Sequence, residues 1–101
     1  ALECARAIRL VCADKIDKVG AKNARDSIAM IKYKVPELVL KIIDDAIQVH
    51  GAAGVSEDTC LAQAYSYMRT LRIADGPDEV HKMTVARIES KRAIGRLKAK
   101  L

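Results

Sequence analysis

Aromatic side chains are nearly missing from this 101-residue chain: it has no tryptophan, no phenylalanine and three tyrosines, Tyr33, Tyr65 and Tyr67. A surface that stacks nucleic-acid bases needs aromatic platforms interleaved with cations, so that class of function is disfavoured and the core must be aliphatic. There are two prolines and five glycines, and Val/Ile runs in strict alternation are lacking, which argues against strands and for helices. No stretch approaches the roughly 20 apolar residues of a membrane span, and no secretory signal opens the chain. Cys4, Cys12 and Cys60 are an odd set without metal-type spacing. They read as free thiols, with Cys60 a small buried residue, and no metal is expected.

What the chain does have is 50% hydrophobic residues against 31% charged, at a net charge of +5. That suits one folded domain, residues 1–101, with a single core. The helical pattern is already under way at Ala1-Leu2, which points to a segment of a longer protein. A positive excess near the end (Lys91, Arg92, Arg96, Lys98, Lys100) reads as a solvated helix face; nucleic-acid binding is the alternative, and no helix-turn-helix spacing supports it.

Taken in order, Leu2, Ala5, Ile8, Cys12, Ile16 and Val19 recur at three- and four-residue steps and predict a first helix ended by Gly20. Asn23 is the expected N-cap of a second, with Asp26 three residues on. Its stripe, Ile28, Ile31, Val35, Leu38, Ile42, Ile43, Ala46 and Val49, runs to His50, a span of about 40 Å at 1.5 Å per residue. Pro36 falls inside it, and the continuing phase favours one bent helix over two. Gly51-Ala-Ala-Gly54 ends that helix. Ser56 is the expected cap of a third, with Glu57 and Asp58 in its first turn and Leu61, Ala64, Tyr65, Met68 and Leu71 facing inward. Ala74-Asp-Gly-Pro-Asp-Glu79 then starts a fourth, with Gly76 at the cap and Pro77 at the first helical position. The expected fold is all-α, an antiparallel up-and-down four-helix bundle.

Chemistry concentrates in the two glycine loops, which the pattern suggests as two walls of one site. Asp75 is the lone carboxylate before the Gly-Pro helix start; Gln48 and His50 close the long helix. By itself Asp75 is more often a turn former than a base. His50 is either solvated or a ligand contact, and His81 reads as a surface helix residue.

The wording of the two loops carries more. Gln48-Val-His-Gly-Ala-Ala-Gly-Val55 resembles the Gln-x-x-Gly-Gly-x-Gly signature of the acyl-CoA dehydrogenases, and Ile73-Ala-Asp-Gly-Pro-Asp-Glu79 resembles their Ile-x-Glu-Gly-Thr-x-x signature. Order and spacing agree, and Asp44-Asp-Ala-Ile-Gln48 is similar to the run before the family's first motif. The branch of family members 10 and 11 is most similar, sharing Ala-Asp-Gly-Pro-Asp-Glu-Val-His at Ala74–His81. The resemblance implies the C-terminal helical domain of a flavoenzyme that binds FAD and dehydrogenates fatty acyl-CoA thioesters at the α,β positions in fatty-acid β-oxidation. Electrons would pass to an electron-accepting flavoprotein or to oxygen. It implies Asp75 as the catalytic carboxylate, Gly76 against the acyl-CoA, and Pro77, Asp78 and Glu79 beside the flavin. Gln48, Val49, His50, Gly51 and Ala52 would pack on the FAD of a neighbouring subunit, so a homo-oligomer, dimer or tetramer, is expected; nucleic acid is not expected as a partner, and the sequence does not indicate membrane association. Small residues at 51, 52 and 54 would let backbone approach the cofactor.

The departures from the family pattern are specific. Asp75 stands where the family has glutamate and is shorter by one bond, about 1.5 Å. Pro77 replaces a threonine and Ala52 the second glycine. Ser66 and Tyr67 stand where the family has an arginine-aspartate pair. A segment of this kind is expected to be inactive alone. A non-catalytic helical interaction module is the alternative. Ala99-Lys100-Leu101 is similar to the peroxisomal address Ser-Lys-Leu, so a peroxisome is expected, with the mitochondrion as the alternative.

Overall fold

The computed structural model describes all 101 residues. It is all helix: α1 (Leu2–Val19), a short 3-10 turn (Ala21–Ala24), α2 (Arg25–His50), α3 (Ala52–Val55), α4 (Leu61–Leu71) and α5 (Asp78–Ala99). Four long helices make the expected all-α bundle, and α3 adds a single turn. No helix is long and apolar enough to cross a membrane.

Three boundaries differ from the sequence reading, each for a local reason. Asn23 does not cap α2: its side-chain amide donates to Val19 O at 3.0 Å, so it serves the free carbonyls at the end of α1. Ser56 does not open α4 either. Its hydroxyl donates to Ala53 O at 2.8 Å and accepts from Asp58 N at 3.2 Å, closing α3 and holding a turn over the next residues. Glu57 and Asp58 sit in that turn, Cys60 is exposed just ahead of α4, and the helix begins at Leu61. Pro77 is the extended residue before α5 (ψ 164°), with Asp78 the first helical residue.

Through Pro36 α2 is one continuous helix. Proline has no N–H, so the carbonyl of Lys32 loses its bond within the helix. α2 is the hub. Leu2 and Ala5 lie beside Ile31 and Val35, and Lys15 reaches Asp26, so α1 runs antiparallel to it. Gly54 abuts Ile47 at the start of the α3–α4 arm, and Leu71 lies at Lys32 at its end, so α4 also runs antiparallel. Lys82 sits over the Tyr33 ring at 5.6 Å and Arg92 reaches Asp26, so α5 does the same. α4 and α5 therefore follow one another along α2 in the same sense instead of turning back. At 1.5 Å per residue, α4 covers about 16 Å of a hub about 39 Å long, which leaves the rest of α2 to α5.

The molecule is drawn out, 62 × 24 × 21 Å, with a radius of gyration of 17.5 Å against about 13 Å for a closed domain of 100 residues. Its surface is 7340 Å², where a closed monomer of this mass exposes about 5,700 Å². The buried apolar core is small: Cys12, Ala24, Ala29, Pro36 and Leu40. Large apolar side chains such as Val11, Val49, Val55 and Tyr67 stand exposed.

One buried carboxylate joins three helices. Asp26, in the first turn of α2, accepts from Lys15 Nζ on α1 at 2.8 Å and from Arg92 Nη2 on α5 at 2.8 Å. Burial acts to raise its pKa, but the hydrogen bonds from Lys15, Arg92 and the Ser27 backbone, with the Lys15 charge, outweigh this and hold it at about 2.

Candidate active site

The loop that carries Asp75 starts as α4 frays. Ile73 and Ala74 N–H donate to Thr70 O at 3.0 and 2.9 Å. Asp75 then takes φ 55° and is the one non-glycine residue at positive φ, a region aspartate tolerates better than most side chains. Gly76 follows at φ 97°, and a Cβ there would lie 2.9 Å from His81 Nε2. The backbone angle is what requires glycine; the imidazole could turn aside from a Cβ, at the cost of its bond to Asp75 O.

Polar contacts fix the shape of this loop. Asp78 N–H donates to Arg72 O at 3.1 Å, and Arg72 Nε donates to Asp78 Oδ2 at 2.7 Å. The pair closes residues 72–78 into a ring, and the bond to Asp78 raises the Arg72 pKa. His81 Nε2 lies 3.2 Å from Asp75 O; a carbonyl only accepts, so Nε2 carries the proton. From α2, the Lys32 ammonium donates to Leu71 O, to Ala74 O at 2.7 Å and to Gly76 O at 3.5 Å. The first of these is a free carbonyl at the negative end of α4.

The loop is thus used unevenly. The carbonyls of Leu71, Arg72, Ala74, Asp75 and Gly76 are taken by the chain itself. The N–H groups of Asp75, Gly76 and Glu79 have no backbone acceptor, and the Asp75 side chain is exposed beside them. Asp78 is buried to 5% exposure, and its Oδ1 has no hydrogen-bond partner. A carboxylate flanked by free N–H donors at a helix start suits a ligand that presents oxygens and gives up a proton.

The second predicted stretch lies elsewhere. Gln48, Val49 and His50 end α2, and Gly51 and Ala52 lead into α3. All five are exposed. His50 Nδ1 bonds back to Ala46 O at 2.7 Å. Gly51 takes φ 61° with open space at its Cβ position. Gly54 does not serve close approach to a ligand as expected: a Cβ there would lie 2.7 Å from Ile47 O, so its smallness lets α3 fold back on α2. His50 is roughly 18 residues beyond Lys32 on the same helix, about 27 Å. The expectation that the two loops wall one site is therefore not met within one copy of the chain, because α2 holds them apart.

Lys32, Arg72 and His81 escaped the sequence reading as loop partners. Lys32 left a trace: it lies in register with buried Ala29 and Pro36, where an unpaired cation has no business unless it meets acceptors. Arg72 and His81 stand close to the loop in sequence, but nothing in their spacing shows which atoms they would find.

Residues 1–89, including both loops, match the profile of the acyl-CoA dehydrogenase C-terminal domain, and the chain belongs to that family. It is 57% identical over 88 residues to the acyl-CoA dehydrogenase family member 11 of Gallus gallus, covering 87% of this chain and 11% of that protein. It is 48% identical to the Homo sapiens family member 11 over 101 residues, all of this chain and 13% of that protein. A solved Mycobacterium abscessus structure assigned to the acyl-CoA dehydrogenases matches with a TM-score of 0.86 at 43% identity, covering 90% of this chain and 22% of that one. The chain thus spans a small fraction of the length of these relatives.

Proposed function

We propose that this chain is the C-terminal helical domain of a larger FAD-dependent enzyme that oxidises fatty acyl-CoA thioesters, with Asp75 as the base that takes the α-proton. The observation that carries the reading is the Asp75 loop: the exposed Asp75 carboxylate, with its own backbone N–H and that of Gly76 unpaired, while the carbonyls on either side are held by the chain itself. The α-hydrogen of a thioester is a weak acid. Removing it requires an aimed carboxylate and donors that stabilise charge growing on the thioester oxygen. The free N–H groups at residues 75 and 76 supply such donors. Bound FAD supplies the acceptor for the hydride that leaves the β-carbon as the double bond forms. Pro77, Asp78 and Glu79 would border it, where the start of α5 offers a positive dipole end and the free Glu79 N–H. Gly76 would lie against the acyl chain.

Gln48, Val49, His50, Gly51 and Ala52 would meet the flavin of a second copy. The separation of about 27 Å along α2 supports this division of labour, as does the exposure of Val49. The apolar surface left bare in this chain would be covered by the rest of the enzyme and by that copy. Electrons would leave to a flavoprotein or to oxygen.

The test is anaerobic mixing of the full-length protein with a panel of acyl-CoA thioesters while flavin absorbance is followed. Bleaching by at least one thioester is expected, and its loss in Asp75→Asn with acyl-CoA binding retained. A protein that binds no flavin, or an Asp75→Asn variant that still turns over, contradicts the reading.

A further inference from the structure

We propose that Lys32 is a positioning residue for Asp75: its ammonium, anchored on α2, places the acid-bearing loop at the distance from which the short carboxylate reaches its proton. The inference rests on the reading of Asp75 as the base and concerns how that base is aimed.

The loop has little apolar anchorage. Ile73 is 61% exposed, and Asp75 and Pro77 are exposed as well. Its remaining hold is polar, and the polar contacts divide into two kinds. Arg72–Asp78 and His81–Asp75 join residues six apart in sequence. They set the shape of the turn, and they would move with it if the turn moved. The bonds from Lys32 span 39 to 44 residues, and they alone tie the loop by hydrogen bonds to the hub helix. Three N–H donors meet three carbonyls, so the ammonium is satisfied without a carboxylate. None of the chain's ion pairs includes Lys32. Its acceptors bracket the acid on both sides, Ala74 before and Gly76 after. Shape therefore comes from the loop's own neighbours, and place comes from Lys32.

The length of the acid makes place matter. Asp75 lacks one methylene relative to glutamate, so it has less side chain with which to absorb a backbone shift. Arginine is a poor substitute at position 32, because a planar fork cannot converge its donors on carbonyls from three residues.

The experiment uses the full-length holoenzyme in four forms: wild type, Lys32→Met, Lys32→Gln and Asp75→Asn. For each, bound FAD per subunit, the dissociation constant of the enoyl-CoA product and the rate of flavin reduction by acyl-CoA are measured. The rate is repeated with α-deuterated substrate. Lys32→Met is expected to slow flavin reduction by about 100-fold, the cost of roughly an ångström of misplacement, with a larger α-deuterium effect as proton removal becomes limiting. FAD content and product affinity should stay within about threefold of wild type, the pattern of an interaction made in the transition state. Lys32→Gln, which keeps two donors, should fall between the two. A wild-type rate in Lys32→Met with Asp75→Asn inactive overturns the role of Lys32 and leaves Asp75 as base. Loss of flavin or product affinity in both Lys32 variants overturns it too, since the residue would then be structural. Turnover in Asp75→Asn overturns the underlying assignment instead.

Discussion

At the scale of single residues, buried charge and backbone angle decide more than side-chain size. Asp26 stands at 3% exposure between Lys15 and Arg92. Its pKa falls from 3.8 to about 2 on folding, which corresponds to about 2 kcal/mol. Because the folded value is the lower one, this stability is present above about pH 4 and disappears as pH falls through about 2. Asp26→Asn should therefore cost about 2–3 kcal/mol near neutral pH by urea unfolding, with the gap to wild type closing in acid. An equal gap at every pH would show that the carboxylate charge is not what holds α1 and α5 to α2. Gly76 is a separate case. Gly76→Ala forces a Cβ against His81 at a φ that alanine resists, and about 1–2 kcal/mol of destabilisation is expected from the backbone alone. Unchanged unfolding of that variant would show that the turn is soft.

Among elements, α2 explains both what the sequence revealed and what it withheld. Its length and its continuity past Pro36 were legible, because an apolar phase that survives a proline implies one helix. Its buried row was not. Ile28 and Ile42 are each 39% exposed and Val49 is 84% exposed, whereas Ala29, Pro36 and Leu40 are buried. A hub contacted on several sides is apolar nearly all round, so periodicity gives no single inward face. Caps failed for a related reason: Asn23 and Ser56 have the right chemistry, but each found the carbonyls of the preceding helix before the N–H groups of the next. The role of Gly54 follows from element packing as well. Gly54→Ala places a Cβ 2.7 Å from Ile47 O, backbone that cannot step aside. We expect about 1–3 kcal/mol of lost stability, visible as a lower thermal midpoint. An unaffected midpoint would mean that α3 is not seated on α2 as described.

The whole molecule is long, with about 1,600 Å² more surface than a closed chain of its mass would show, about twice what one partner gives up to a standard interface. Both loop signatures could be read from the sequence, and the family with them. Their separation could not, since motif spacing along a chain does not give distance across a helix. The 101 residues alone should hold FAD weakly. Gel filtration of the isolated chain with FAD is expected to separate protein from yellow colour, and co-elution would contradict the view that other parts of the enzyme supply most flavin contacts. The central claim is that the acid loop of one copy works with the Gln48–Ala52 stretch of another. Its most direct test is complementation in the full-length enzyme between Asp75→Asn and Ala52→Arg, co-expressed with different tags so that mixed oligomers are isolated. Each variant alone should be inactive. In a mixed dimer one site of two keeps both intact partners, so about half of wild-type activity should return; mixed oligomers as inactive as their parents would contradict the claim.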